Sequence, residues 1–168
     1  MNKKIEGLAL WLLPIIILAM LVVNARIMSG HYLTLNGLEK SNKVYGEQIL
    51  IKEAMKTGIH ATSGQLLKID VTTVNTGNFI WSHDGPNPVH LSYQILDHNK
   101  QLVRSDGLRT TLPYDLRPGQ RVTVPMNLKA PDEVGDYVVQ LDMVQEGEAW
   151  FGEKGSKPLV LLLEVAKT

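Results

Sequence analysis

Apolar and polar residues alternate along several short segments of the chain after residue 45. The clearest series are Val89, Leu91, Tyr93 and Ile95; Val122, Val124, Met126 and Leu128; and Tyr137, Val139, Leu141 and Met143. Because successive side chains of a strand point to opposite faces, a period of two indicates strands with one buried and one wet face. The pattern therefore predicts antiparallel sheets that are packed on one side.

Seven segments have the length and composition of β-strands. They are residues 49–54, 66–75, 89–96, 102–103, 121–128, 136–144 and 159–165. The last segment is almost entirely apolar, which favours a central strand or one that is covered on both faces. Turn formers such as Pro118-Gly119 separate the segments. About seven strands at this spacing predict an all-β fold, an immunoglobulin-like antiparallel β-sandwich over residues 46–168.

The N-terminal part of the chain contains a long run of uncharged, mostly large apolar residues. With its flanks, over residues 5–27, this run reaches the roughly 20 residues needed to cross a bilayer. Two lysines precede it, which favours a cytoplasmic N-terminus. We predict one transmembrane α-helix as an anchor in residues 1–27, a juxtamembrane linker over residues 28–45, and a C-terminal domain on the periplasmic or extracellular side of the cell membrane.

Two other interpretations of this segment stay open. One is a cleaved signal peptide, because Val23-Asn24-Ala25 offers small or tolerated residues before a cut that would leave a soluble secreted domain. The other is a pilin-like leader that is cut after Gly7. The residues after Gly7 lack the glutamate that bacterial type IV pilins carry at their fifth position, so only a looser, archaeal-type leader fits.

The composition of the chain excludes several classes of function and of binding site. The 168 residues include 17 basic and 17 acidic side chains, and this zero net charge argues against nucleic-acid binding, which normally needs a basic surface. The chain has no cysteine, which excludes disulfides, thiolate metal sites and a lipoprotein anchor. A domain of this kind relies on apolar packing and on the hydrogen-bond ladders of its sheets.

A series of motifs runs through the C-terminal domain in a fixed order. It comprises Trp81, residues 89–94, Asp97, residues 106–113, residues 116–119, Ala130-Pro131, residues 135–137, residues 142–147, Trp150-Phe151 and residues 155–159. Over roughly residues 65–165 the chain resembles an immunoglobulin-like accessory module of prokaryotic proteins. Such modules lie beside glycosyltransferases or other cell-envelope proteins, or follow a membrane helix. The resemblance implies a sandwich fold and a non-catalytic role, and it supplies no catalytic residues.

No group of side chains matches a catalytic or metal-binding motif. The histidines at positions 60, 83, 90 and 98 do not have the spacing of compact ligand pairs. Carboxylates such as Asp106 and Asp142 are not accompanied by a nucleophile elbow, a phosphate loop or a zinc motif. We therefore predict no catalytic residue, no metal site and no cofactor, and a protein that is not an enzyme.

Four residues are the candidate contacts for a partner or a glycan: Trp81, Arg109, Trp150 and Phe151. Flat aromatic rings suit both sugar faces and protein interfaces, although a place in the core between the sheets suits them equally. Arg109 is expected to bond loop carbonyls, or to pair with Asp142 or Glu146 and so pin the crossover loop to a hairpin.

Two residues have predicted structural roles. Tyr137 begins a late strand, where sandwiches place a corner tyrosine whose hydroxyl bonds to nearby backbone. Gly107 follows Asp106 in a predicted tight turn, where the glycine is expected to adopt a positive φ.

The leading functional prediction is a single-pass, membrane-anchored domain that acts as a protein-interaction or accessory subunit of an envelope complex. The bilayer would hold residues 5–27, and a protein of the envelope would be the partner, with no nucleic acid involved. Two alternatives are a cell-surface glycan-binding module and a pilin-like filament subunit. They differ from the first in their partner: a polysaccharide in one case, further copies of the chain in the other.

Overall fold

A computed structural model describes residues 43–52, 55 and 58–167 of the chain. These residues include ten strands and the short 3₁₀-helix Gly152–Lys154. The strands are β1 Glu47–Leu50, β2 Ile59–Thr62, β3 Leu66–Asn75, β4 Val89–Asp97, β5 Leu102–Arg104, β6 Thr110–Thr111, β7 Arg121–Lys129, β8 Gly135–Gln145, β9 Ala149–Trp150 and β10 Leu159–Ala166. No helix of the described segments has the length and apolar character that crossing a membrane requires. The predicted anchor, and the linker up to residue 42, lie outside the described residues.

The strands form two sheets. The smaller sheet has the order β1-β3-β7, and the larger has the order β2-β10-β8-β4-β5, with β6 paired to β4 and β9 paired to β8. Side chains from both sheets share one core, whose largest fully buried members are Trp81, Tyr93, Phe151, Ile69, Leu91, Ile95, Leu112, Leu116, Met126, Leu128, Leu141 and Met143. The prediction of an all-β fold is confirmed.

The long alternating strands were predicted well, and the short ones were not. β3, β4, β7 and β8 match predicted segments to within one residue at each end, because nine to eleven residues give a clear period of two. The predicted strand 49–54 is wrong at both ends, since β1 ends at Leu50 and the chain then crosses to the larger sheet. There β2 pairs with β10 in parallel, so the sandwich is not wholly antiparallel.

The burial of β10 decides between the two predicted interpretations of its apolar sequence. This strand is central, between β2 and β8, but only one of its faces is covered. Its burial alternates: Leu161, Leu163 and Val165 are buried, whereas Val160 and Leu162 are 54% and 63% exposed. The larger sheet therefore has an aliphatic outer face at this strand.

Two backbone features position the crossover between β4 and β7. Gly107 N donates to Tyr93 O at 3.0 Å, and a Cβ on Gly107 would lie only 2.4 Å from that oxygen. Gly107 is not among the described glycines with positive φ, so the predicted reason for glycine here is wrong. Close approach to β4, not an unusual φ, requires the missing side chain. Further along, Trp81 and Leu116 form a bridge through two backbone hydrogen bonds.

The predicted contact of the corner tyrosine is confirmed. Tyr137 lies near the start of β8, and its hydroxyl donates to Glu133 O at 3.0 Å. The ring is 8% exposed, so this bond supplies a partner for an otherwise buried polar atom. It ties the loop that precedes β8 to the strand itself.

Candidate functional site

The guanidinium of Arg109 lies over the outer face of the larger sheet, at the end of the crossover loop. Its Nε donates to Oε1 of Glu146 at 2.6 Å, and its Nη1 pairs with Oδ1 of Asp106 at 2.5 Å. Nη1 also donates to Ser92 Oγ and to Gly107 O, each at 3.0 Å. These bonds join the crossover loop to β4 and to the end of β8.

The predicted role of Arg109 is thus confirmed for the loop carbonyl and for one of the two candidate acids. It pairs with Glu146 and with a loop carbonyl, but it does not pair with Asp142. The carboxylate of Asp142 instead accepts a hydrogen bond from Gly152 N at 3.0 Å. Sequence alone left both acids open because each lies on the same strand or just after it.

Trp150 provides the second half of the site. It lies on β9, the short strand that pairs with the end of β8, opposite Val144. The centre of a Trp150 ring is 5.1 Å from Cζ of Arg109, within the range of a cation–π interaction. The stacked guanidinium and indole form a half-buried pair, and we call Arg109, Glu146 and Trp150 the Arg109 site.

The charges of the site are balanced by short contacts. Burial raises the pKa of Glu146, but hydrogen bonds from Arg109 and from His90, whose Nδ1 lies 3.1 Å from Oε1, outweigh it. The net result is a pKa below the usual value, so Glu146 is a carboxylate at neutral pH. Burial lowers the pKa of Arg109, and its bonds to Glu146 and Asp106 raise it by more. The guanidinium is therefore a permanent cation.

One donor nitrogen of Arg109 is unused among the described residues. Nε and Nη1 of Arg109 have acceptors, but no atom of the described residues accepts a hydrogen bond from Nη2. The Arg109 side chain is 27% exposed. Its fixed plane can therefore offer Nη2 to a carboxylate or carbonyl of another molecule, with Trp150 beside it.

The hydroxyl that Arg109 contacts is enclosed. Ser92 Oγ is fully buried and donates to Gly107 O at 3.1 Å. A nucleophile needs access to its substrate and a base within hydrogen-bond reach. Ser92 instead serves to hold Arg109.

Two of the four predicted contact residues lie in the core. Trp81 and Phe151 have no exposed surface, and their rings pack edge to face with centroids 5.4 Å apart. Tyr45 packs against Phe151 in the same manner at 5.0 Å. The prediction of Trp81 and Phe151 as ligand contacts is corrected accordingly, because neither ring has a free face. Arg109 and Trp150 remain as candidates.

The structure also contains a pair of buried acids that the sequence did not predict. Glu47 of β1 and Asp142 of β8 are 9% and 5% exposed, and Oε2 of Glu47 accepts a hydrogen bond from Met143 N at 2.8 Å. Burial, together with the charge and the hydrogen bond of Asp142, raises the pKa of Glu47 to about 9. Burial also raises the pKa of Asp142. Within the described residues, Oε1 of Glu47 has no hydrogen-bond partner.

The pair joins the two sheets. Glu47 belongs to the smaller sheet, and its carboxyl group reaches the edge of β8 in the larger sheet. No local pattern connects positions so far apart in sequence, so this contact could not be predicted from the sequence. Its role is structural, because both carboxyl groups are enclosed.

His83, Asp84 and Asp115 form a surface cluster whose ligand-type atoms lie within 4.8 Å of one another. His83 Nδ1 already lies 2.8 Å from Oδ1 of Asp115, which also accepts from His83 N at 3.0 Å. A cation would have to displace these bonds. The cluster fastens the loop after Trp81 to the segment before Leu116, which is sufficient reason for its geometry.

No protein-family model matches this chain, and no curated protein matches it. Among solved structures, the chain is similar to a family 123 glycoside hydrolase from Clostridium perfringens, with 12% identity and a TM-score of 0.41. The match covers 73% of this chain but only 27% of the hydrolase. The chain is also similar to PapD-like domain 7 of human CEP192, with 14% identity, a TM-score of 0.31, and coverage of 73% and 84%. These likenesses are too distant to assign a function.

Proposed function

We propose that the chain is an accessory subunit of an envelope or membrane complex, and that its β-domain binds a protein partner. The observation that carries this proposal is the Arg109 site. It holds a guanidinium in a fixed plane beside Trp150, with one donor unused. Tryptophan and arginine dominate the energetic centres of protein interfaces.

Pre-organisation makes this site suited to binding. Arg109 loses little freedom when a partner arrives, because four acceptors and the Trp150 ring already hold its side chain. Less entropy is then lost on association than with a mobile arginine. The matching group on the partner is a carboxylate or a main-chain carbonyl that reaches Nη2.

The finer architecture in this proposal is an immunoglobulin-like sandwich. Three features support it: two sheets that share one core, consecutive strands β1 and β2 that belong to different sheets, and the corner tyrosine Tyr137. The resemblance of residues 65–165 to prokaryotic accessory modules agrees with it.

The proposal also includes a membrane anchor, which rests on the sequence of residues 5–27. A helix there would hold the domain outside the cytoplasm and raise its local concentration near membrane partners. Intact-mass measurement of the protein from its native membrane tests this step. Loss of residues 1–25 would indicate a signal peptide, and loss of residues 1–7 a pilin-like leader.

A glycan-binding role has less support in the site. Sugar stacking needs a free aromatic face, whereas Trp81 is buried and Arg109 covers one face of Trp150.

The test is a comparison of two arginine variants in native membranes. Full-length wild type, Arg109→Lys and Arg121→Gln would be cross-linked in the membrane, solubilised and isolated. Arg121 is the matched control because it is exposed on β7 of the smaller sheet. We expect the partner with wild type and Arg121→Gln, and its yield to fall about tenfold with Arg109→Lys, which lacks the planar donors. Equal recovery with all three would refute the assignment of the site.

A further inference from the structure

A row of aliphatic side chains crosses the outer face of the larger sheet, away from the Arg109 site. In the strand register, Leu162 of β10 is opposite Val138 of β8, Val138 is opposite Leu96 of β4, and Leu96 is opposite Leu102 of β5. Residues that are opposite one another across a pair of strands lie on the same face. We call these four residues the aliphatic row.

The row is open to solvent at both ends. Leu162 is 63% exposed and Leu102 is 53% exposed, while Val138 and Leu96 between them are half-buried. Val160 on β10 and Val103 on β5 add further exposed aliphatic surface. Isolated exposed apolar residues are ordinary, but a contiguous apolar patch on a sheet marks a surface that another molecule covers.

Carboxylates lie along one side of the row. The next register position on the same face pairs Glu164 with Asp136, and Oε2 of Glu164 lies 2.9 Å from Nδ1 of His60. Beyond it, a cavity of about 450 Å³ has four carboxylates in its lining and one guanidinium. The lining groups with a formal charge are Asp97, Asp132, Glu133, Asp136 and Arg104. Within the described part of the chain, none of these four acids forms an ion pair.

Amide side chains lie on the other side of the row. There, Val160 is opposite Gln140, and Gln140 is opposite Gln94, while Arg104 of β5 pairs with Ile95 beside Gln94. The surface therefore has an apolar centre and a negative margin on one side only. A complementary surface has an apolar stripe with positive charge along one side.

We propose that the aliphatic row is the docking surface for an amphipathic helix of a protein partner, with lysine or arginine residues beside its apolar stripe. Neighbouring strands are ~4.8 Å apart, so the four side chains are spaced by about that distance along the row. A helix presents its apolar stripe once per turn, about every 5.4 Å, which is a close match. An extended strand presents same-face side chains about 6.7 Å apart and fits less well.

The negative charge beside the aliphatic row favours a basic helix over a lipid surface. Anionic headgroups would be repelled by Asp136 and by the acids of the cavity, whereas basic side chains would be attracted to them. The inference rests on the proposed function only in that the domain binds a protein. It uses a surface other than the Arg109 site.

The experiment measures binding of a synthetic helical peptide to the full-length chain. The fluorescein-labelled probe has about 18 residues, a leucine stripe, and lysines along one side. A charge-reversed peptide carries glutamate in place of every lysine. The protein is held in nanodiscs of zwitterionic lipid, and anisotropy is compared with that of protein-free nanodiscs. Leu162→Asp tests the row, and Asp136→Asn tests its negative margin.

Leu66→Asp is the matched control, because Leu66 is 57% exposed on β3 of the other sheet. We expect Leu162→Asp to raise Kd for the lysine peptide about tenfold or more, since it removes one buried aliphatic contact. Asp136→Asn should weaken binding and flatten its dependence on salt. Leu66→Asp and Arg109→Lys should both bind like wild type.

Several results would overturn the inference: no binding of the lysine peptide, equal Kd for Leu162→Asp and Leu66→Asp, or equally tight binding of the charge-reversed peptide. Self-association of the wild type that Leu162→Asp abolishes would also overturn it, because a second copy would then be the occupant. None of these results affects the cross-linking test of the Arg109 site, so the two proposals can fail separately.

Discussion

Nε of Arg109 lies 2.6 Å from Oε1 of Glu146, and this contact joins the loop after β5 to the residue that follows β8. The two partners are 27% and 33% exposed, so solvent only partly screens their attraction. The same guanidinium holds Ser92 Oγ and Gly107 O. The Arg109 side chain therefore links three parts of the domain: the crossover loop, β4 and the end of β8.

The first prediction concerns the stability that Arg109 supplies. Arg109→Gln should lower the free energy of unfolding by about 1–2 kcal/mol, because it removes the charged donor of Glu146 and Gly107 O in a partly buried place and leaves them only His90 and Ser92. Urea unfolding measured by tryptophan fluorescence provides the value. Arg121→Gln, at an exposed position of β7, is the control and should change stability by no more than about 0.5 kcal/mol. Equal effects would show that the contacts of Arg109 contribute nothing.

The second prediction concerns the close approach at Gly107. A methyl group there would lie 2.4 Å from Tyr93 O and 2.7 Å from the Tyr93 ring, so the loop would have to move. Gly107→Ala should destabilise the fold by about 1–3 kcal/mol, the usual cost of overpacking. Thermal unfolding checks it, with Ser105→Ala as the control in the same loop, where the residue is exposed. An unchanged Tm for Gly107→Ala would contradict the geometry.

The third prediction isolates one hydroxyl. Tyr137→Phe removes the bond to Glu133 O and leaves the packing of the ring unchanged. It should cost about 0.5–1.5 kcal/mol, the net value of one hydrogen bond. Tyr114→Phe is the matched control, because Tyr114 is 50% exposed and is not involved in any hydrogen bond of the described residues. If the two substitutions have the same effect on urea unfolding, the corner bond has no net stabilising role.

The sequence predicted those features of the fold that depend on short-range patterns of apolar and polar residues. Strands of nine or more residues could be predicted from the alternation of apolar and polar residues. β6 and β9 contain two residues each, which is too few to show a period of two. The partner of Arg109 was narrowed to Asp142 or Glu146, because the loop and the hairpin both adjoin long, recognisable strands, and the structure selects Glu146. The aromatic residues were ambiguous, since a ring that suits a core also suits an interface. Burial of Trp81 and Phe151 depends on how two sheets pack, which local sequence does not reveal.

Glu47 and Asp142 share a nearly buried position between the sheets. The pKa of Glu47 is about 9 in the fold, against a usual value of 4.5. Between those values the folded protein binds a proton that the unfolded chain has released. The free energy of unfolding must therefore fall as pH rises through this range.

Urea unfolding at pH 5, 6, 7 and 8 tests this consequence. The free energy of unfolding of the wild type should fall by about 1–3 kcal/mol between pH 5 and pH 8. The difference of one bound proton between the folded and unfolded states changes this free energy by at most about 1.36 kcal/mol per pH unit. Glu47→Gln keeps the shape and stays neutral, so its stability should decline less and should exceed that of wild type at pH 8. Glu148→Gln, at an exposed position, should retain the wild-type slope. If Glu47→Gln declines as steeply as wild type, the proton does not reside on Glu47.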